Sequence, residues 1–116
     1  MSRAVAYQSR PLISAQDFTR NDVVHWLRQK LAGRVHEAYL FGSIAMETAK
    51  AWSDLDVLII KPSTQPYVER PLEFQDLFEL GLAVDVLVYT PEEYATMAAN
   101  PTPFFRDVIS SQVRVL

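Results

Sequence analysis

Cysteine is absent from the 116 residues. That excludes disulfides, thiolate metal sites and a thiol nucleophile, and it fits a reducing, intracellular setting. An excess of positive charge is missing too, since 11 Lys and Arg against 14 Asp and Glu leave a formal net charge of −3. General binding to DNA or RNA rests on many cationic contacts to phosphates, so no nucleic-acid partner is expected. No apolar run approaches membrane-spanning length, and residues 1–11 lack the apolar centre of a secretory signal. No membrane association is expected, and a cytoplasmic location is. What is present, 49% hydrophobic and 22% charged residues, is the balance of a folded globular protein. At this length one hydrophobic core is expected, hence a single domain over residues 1–116.

Residues 1–14 show no periodicity and pass through Arg10 and Pro11, the mark of an irregular lead-in. Val23, Trp26, Leu27 and Leu31 then recur at helical spacing and predict a helix over 19–32, stopped by Gly33. Apolar residues over 35–41 predict a strand that runs into Gly42, and 43–50, free of Gly and Pro, has room for two helical turns. Residues 54–60 read as an interior strand. A proline-punctuated loop through Pro62, Pro66 and Pro71 follows, and Phe74, Leu77 and Phe78 take the spacing of a helix face ending at Gly81. Residues 82–89 read as a third strand. Thr90 and Pro91 read as the N-cap and first position of a helix reaching Ala98. A last helical segment over 104–110 and a short edge strand over 113–116 complete a mixed α/β (α+β) layer structure, a small mixed sheet flanked by helices.

Side chains alternate along a strand, so Asp54 and Asp56 project from one face while Leu55 points the other way. Taken alone, the pair is also ordinary turn and strand-end chemistry. Asp85 lies within 82–88, where both faces read as apolar. A carboxylate buried there costs on the order of several kcal/mol unless a metal or a cation such as Arg34 or Arg106 pairs with it. If the two strands are neighbours, three carboxylates meet at one sheet edge, an oxygen-rich set suited to Mg²⁺ and phosphate chemistry. Gly42 and Ser43 sit between a strand and a short helix, where outward backbone N–H groups can cradle an anion. The alternative for the same residues is a plain strand-to-helix turn with Ser43 as N-cap.

Gly42-Ser43, the ten residues 44–53, then Asp54-Leu55-Asp56, and later Val84-Asp85-Val86, together resemble the DNA polymerase β-like nucleotidyltransferase superfamily. The closest likeness is to its minimal nucleotidyltransferase (MNT) branch, of the MntA-like antitoxin type, and it spans residue 23 to the C-terminus. The resemblance implies the nucleotidyltransferase fold and a catalytic, metal-binding trio, with Asp54 and Asp56 holding two Mg²⁺ ions. Asp85 would bind the metal at the attacking hydroxyl and help to deprotonate it. Gly42 and Ser43 would bind the β- and γ-phosphates of ATP or another nucleoside triphosphate. It further implies transfer of a nucleotide, AMP from ATP, to a hydroxyl on a HEPN-domain toxin acting in trans. Homodimerisation is a further option.

One segment departs from that pattern. After Gly-Ser the family carries one or two basic residues and then a glycine, whereas this chain has Ile44, Ala45, Met46 and Glu47. Lys50, Lys61 and Arg34 are the nearby cations that could compensate, though each also reads as a solvated surface charge. Trp52 is either a stacking platform for a base or a packing anchor. Two functions therefore stand beside each other: an active nucleotidyltransferase antitoxin, favoured by the acids, and a catalytically weak module that neutralises or scaffolds a HEPN protein by contact, favoured by residues 44–47.

Overall fold

The computed structural model describes residues 13–116, and the lead-in expected before Ile13 lies outside them. Ser14 already belongs to a capping box that closes a 3-10 turn at Ala15–Asp17, whose Ala15 is buried. Helix α1 (Arg20–Leu31) starts where Thr19 and Asp22 exchange hydrogen bonds: the Thr19 hydroxyl accepts from the Asp22 N–H, and the Asp22 carboxylate accepts from the Thr19 N–H. Both donors would otherwise be orphaned by the helix start. Val23, Leu27 and Leu31 follow at intervals of four and are fully buried, each contributing roughly 1.5–3 kcal/mol by leaving water.

Strand β1 (Glu37–Phe41) leads into a one-turn helix α2 (Gly42–Ala45). The expected second turn is not made. Glu47 has φ 62°, and around it the Glu47 N–H donates to the Ile44 carbonyl while the Thr48 N–H donates to the Ser43 carbonyl. This is the Schellman stop, in which the left-handed position is normally glycine. Strand β2 (Leu55–Ile60) follows. The chain then runs through a 3-10 segment, Tyr67–Leu80, in place of the short α-helix expected there. Pro71 lies inside it, lacking the N–H that a continuous helix needs, and Phe74 has non-helical dihedrals. Phe74 and Leu77 are buried as expected, whereas Phe78 is 53% exposed.

Strand β3 (Val84–Tyr89) is followed by α3 (Pro91–Ala99), which begins with Thr90 as N-cap, Pro91 at its first position and Glu93 closing a capping box. Helix α4 (Pro103–Ser111) repeats the device with Thr102 and Pro103. Strand β4 (Val113–Arg114) ends the chain's regular structure. The sheet order is β3-β2-β1-β4, with β2 and β3 parallel and the other pairs antiparallel. The mixed sheet is thus present, with β3 and the two-residue β4 as its edges.

One face, carrying Leu40, Leu55, Val57 and Ile59, packs on the α1 residues and on Phe74 and Leu77. The other carries Phe41 and Leu58 and is covered by Phe105 and Val108 of α4. Among the described residues no helix is long and apolar enough to cross a membrane.

Candidate active site

The parallel pairing of β2 and β3 sets Asp56 opposite Asp85. Partners in register share a face, so both carboxylates stand on the α4 side of the sheet, in one row with Phe41 of β1. Asp54 precedes the strand by one residue and lies one row further out. The neighbouring row, Tyr39, Leu58 and Leu87, belongs to the core under α4. On β2 helical cover therefore ends between Leu58 and Asp56, while Phe41 beside Asp56 on β1 stays under α4.

The acids differ in exposure. Asp56 is partly buried, while Asp54 and Asp85 are exposed. Burial first, and then the negative charges of Asp85 and Asp54, push the Asp56 carboxyl up to about 7. The expectation that Asp85 is buried between two apolar faces is overturned, because β3 is an edge strand whose outer positions meet solvent. Its ion-pair alternatives fail as well: Arg34 makes a forked pair with Asp76 at 2.8 and 3.2 Å, and Arg106 donates to the Pro101 carbonyl. The ion pairs among the described residues engage other carboxylates and leave Asp54, Asp56 and Asp85 uncompensated.

Gly42 is fixed by two independent demands. Its φ is 77°, and a Cβ built on it would lie 2.1 Å from Oδ2 of Asp56. The Asp56 carboxylate thus rests directly over the glycine turn. The Gly42 N–H is not free, as it donates to the Ser111 hydroxyl at 3.2 Å, and that hydroxyl donates in turn to the Val108 carbonyl. Ser111, which anchors the turn from the end of α4, carries no signal in the sequence because the contact spans 69 positions. Ser43 is not an N-cap. It is the second residue of α2, whose N-cap is Phe41 and makes no side-chain cap bond. An anion at this turn would meet the Ser43 hydroxyl and the N–H groups of a first helical turn, which lack intrahelical acceptors.

Two of the proposed compensating cations are engaged elsewhere. Lys61 follows the far end of β2 and pairs with Glu73 at 2.6 Å, Arg34 is held as described at the end of α1, and Lys50 is exposed in the loop before β2. Arg20, which sequence reasoning passed over, donates to the Ala45 carbonyl at 3.0 Å and lies 3.6 Å from the Glu47 carboxylate. Glu47 is accordingly turned toward Arg20, at the C-terminal end of α2. Trp52 is 74% exposed, which removes the packing-anchor reading.

All the donors in the acidic row are oxygens with no internal cation, a set that suits a hard divalent ion. Among the described residues no three acidic or histidine side chains close into a finished metal cluster. An open set is what Mg²⁺ takes, since it is commonly held by one or two carboxylates with waters and substrate phosphates completing the shell.

Residues 24–113 match the nucleotidyltransferase domain model, and the chain belongs to that family. Among curated proteins none matches it in sequence. A toxin–antitoxin crystal structure with AMP-PNP shares the fold at TM-score 0.56 and 20% identity, over 85% of this chain and 73% of that one. An MntA–HpeT toxin–antitoxin structure bearing two aspartate-to-glutamate changes aligns at 0.56 and 18% identity, over 85% and 73% of the two chains. Another, with a tyrosine-to-alanine change, aligns at 0.51 and 19%, over 84% and 71%. At such identities the likeness establishes the nucleotidyltransferase fold.

Proposed function

We propose that this chain is a Mg²⁺-dependent nucleotidyltransferase that moves AMP from ATP to a hydroxyl of a HEPN-type partner protein, acting as the antitoxin of a cytoplasmic toxin–antitoxin pair. The observation that carries the reading is the row in which Asp56 faces Asp85 and rests on Gly42. The toxin–antitoxin assemblies of like fold support a toxin as the partner.

Asp54, Asp56 and Asp85 would hold two Mg²⁺ ions, which when bound supply charge neutralisation at the incoming and departing oxygens. Gly42 lets the backbone approach the phosphates without a side chain in the way, and the Ser43 hydroxyl and first-turn N–H groups hold the β- and γ-phosphates. Asp85, on an exposed edge strand, is open to a hydroxyl carried by another macromolecule and accepts its proton. The hydroxyl oxygen bonds to the α-phosphorus, the bond to the bridging oxygen breaks, and pyrophosphate leaves with that electron pair. Most of the acceleration comes from positioning and fixed charge.

The test is incubation with labelled ATP, Mg²⁺ and the product of the neighbouring gene. Label should move to that protein and should be lost in Asp54→Asn/Asp56→Asn. One observation favours a second reading, contact-only neutralisation: the turn after Gly42-Ser43 presents exposed Met46 and an Arg20-paired Glu47, and so offers the triphosphate no cation. Complex formation by both wild type and the double variant, with no label transferred by either, would establish that reading instead.

A further inference from the structure

The outer edge of β3 is closed at one end only. The Leu55 N–H donates to the Ala83 carbonyl and the Lys61 N–H to the Tyr89 carbonyl. In this parallel ladder the backbone groups of Asp85 and Leu87 therefore turn toward β2, and those of Val84, Val86 and Val88 turn outward. The Val88 carbonyl accepts from the buried Arg70 guanidinium at 3.1 Å. Among the described residues the outward N–H and carbonyl groups of Val84 and Val86 have no hydrogen-bond partner. Sheet edges are ordinarily protected by lysine, proline, a bulge or a covering element, and residues 84–87 contain neither lysine nor proline. The 3-10 segment from which Arg70 reaches Val88 also leaves Val68, Leu72 and Phe78 exposed.

We propose that a basic, extended segment of the acceptor protein adds to β3 as a further strand, hydrogen-bonded to Val84 and Val86, with its reactive hydroxyl in register with Asp85. This rests on the nucleotidyltransferase reading and states how that site takes its acceptor. Residues opposite one another in a sheet share a face. The row of Phe41, Asp56 and Asp85 would thus gain one more member on its acidic side, with a backbone about 4.8 Å beyond that of Asp85. A side chain there lies beside the carboxylate that takes its proton. Main-chain pairing supplies affinity, and the alternating side chains supply specificity. Those flanking the hydroxyl residue point to the opposite face, where Phe74 and Leu77 of the 3-10 segment pack with Val84 and Val86, so apolar flanks suit it. Residues two positions away return to the acidic face. Charge decides between occupants there, because the ion pairs among the described residues leave the three aspartates uncompensated. A second copy of this chain adding through its own β3 would bring another acidic row onto the same sheet. A lysine or arginine two residues from the hydroxyl meets opposite charge instead.

The probe is a fluorescent peptide, Lys-Arg-Val-Tyr-Val-Arg-Lys, with two counterparts: one N-methylated on the backbone of its three central residues, and one with glutamate at its four basic positions. Binding is read by anisotropy in Mg²⁺ and α,β-methylene-ATP, whose bridging carbon blocks transfer. The parent peptide should bind wild type, and N-methylation and the acidic exchange should each weaken it at least about tenfold, the loss of one or more hydrogen bonds or charge contacts. Val86→Pro should weaken the parent peptide to the same degree. It removes an outward N–H and no bond to β2, and an edge strand tolerates proline. Circular dichroism and calorimetric Mg-ATP binding check that variant, and the N-methylated peptide tests the same edge on wild type. Equal binding of the parent and N-methylated peptides would overturn the added strand and leave the transferase reading standing. So would failure of the parent peptide to bind a wild type that binds Mg-ATP. A wild-type dimer in sedimentation that falls apart in Val86→Pro would give the edge to a second copy and overturn the proposal. A wild type that binds no Mg-ATP would overturn the transferase reading itself.

Discussion

The two faces of the sheet are built to different lengths. On the α1 face apolar contact runs the whole length of β2, through Leu55, Val57 and Ile59, all of them excluded from solvent. On the α4 face it covers Leu58 and, in the next row, Phe41 of β1, but leaves Asp56 and Asp85 of that row outside the apolar cluster. The same strand therefore serves as core on one side and as an acidic surface, the proposed reactive one, on the other. A carboxylate can be held rigidly by a buried strand without being buried itself only where the second layer falls short. Stability belongs to the complete face, and the proposed chemistry to the incomplete one.

Truncating either cover should give the largest effects and tell the faces apart. Leu27→Ala and Phe105→Ala should each cost about 3–5 kcal/mol in urea unfolding. Phe105→Ala should also weaken ATP binding in the fraction that stays folded, because α4 carries the Ser111 hydroxyl that holds Gly42, and Leu27→Ala should not.

Next comes the clamp joining the layers at the end away from the acids. Arg70, 7% exposed, donates to the Val88 and Gln65 carbonyls and makes a forked pair with Glu93 of α3. Arg70→Ala should cost about 2–4 kcal/mol, since it strands buried acceptors as well as a charge. Its hydrogen bonds to Arg70 first, and then to the Thr90 backbone, hold the Glu93 carboxyl below its usual 4.5. A lowered acid contributes stability above its unfolded value and loses it as pH falls through the folded one. Wild type should therefore lose part of its advantage over Arg70→Ala as thermal unfolding is followed from pH 6 down to 3.

The acidic row should behave in the opposite way. Asp56→Asn removes a partly buried charge set among like charges and should stabilise the metal-free protein by about 1–2 kcal/mol. Added Mg²⁺ should raise the melting temperature of wild type and not that of the variant. The smallest effect is expected at the turn between the two faces. Glu47→Gly relieves a left-handed residue and should add about 0.5–1 kcal/mol, read as a small rise in the urea midpoint.

Much of this was legible in the sequence, because the relevant signals are local. The apolar spacing of Val23, Leu27 and Leu31 and the pairing of Thr90 with Pro91 each depend on neighbours within a few residues, and each appears in the structure where expected. What escaped was non-local or depended on strand order. Asp85 looked buried because one strand's composition does not reveal whether it lies at the edge. The Ser111 anchor joins distant segments, and Arg20 reaches α2 from another helix. Glu47 is a different case. The departure from the family pattern, a glutamate where glycine is usual, was visible. That the position needs a left-handed backbone could be seen only in the fold.

The contact between Gly42 and Asp56 makes two distant codons a single unit of inheritance. Any side chain at position 42 displaces the carboxylate beneath it, and an alanine there would damage Asp56 without altering it. Among descendants of this chain, the glycine and the aspartate should be kept together or abandoned together, and a lineage that has lost the acid is free to put any residue with a tolerable backbone at the turn.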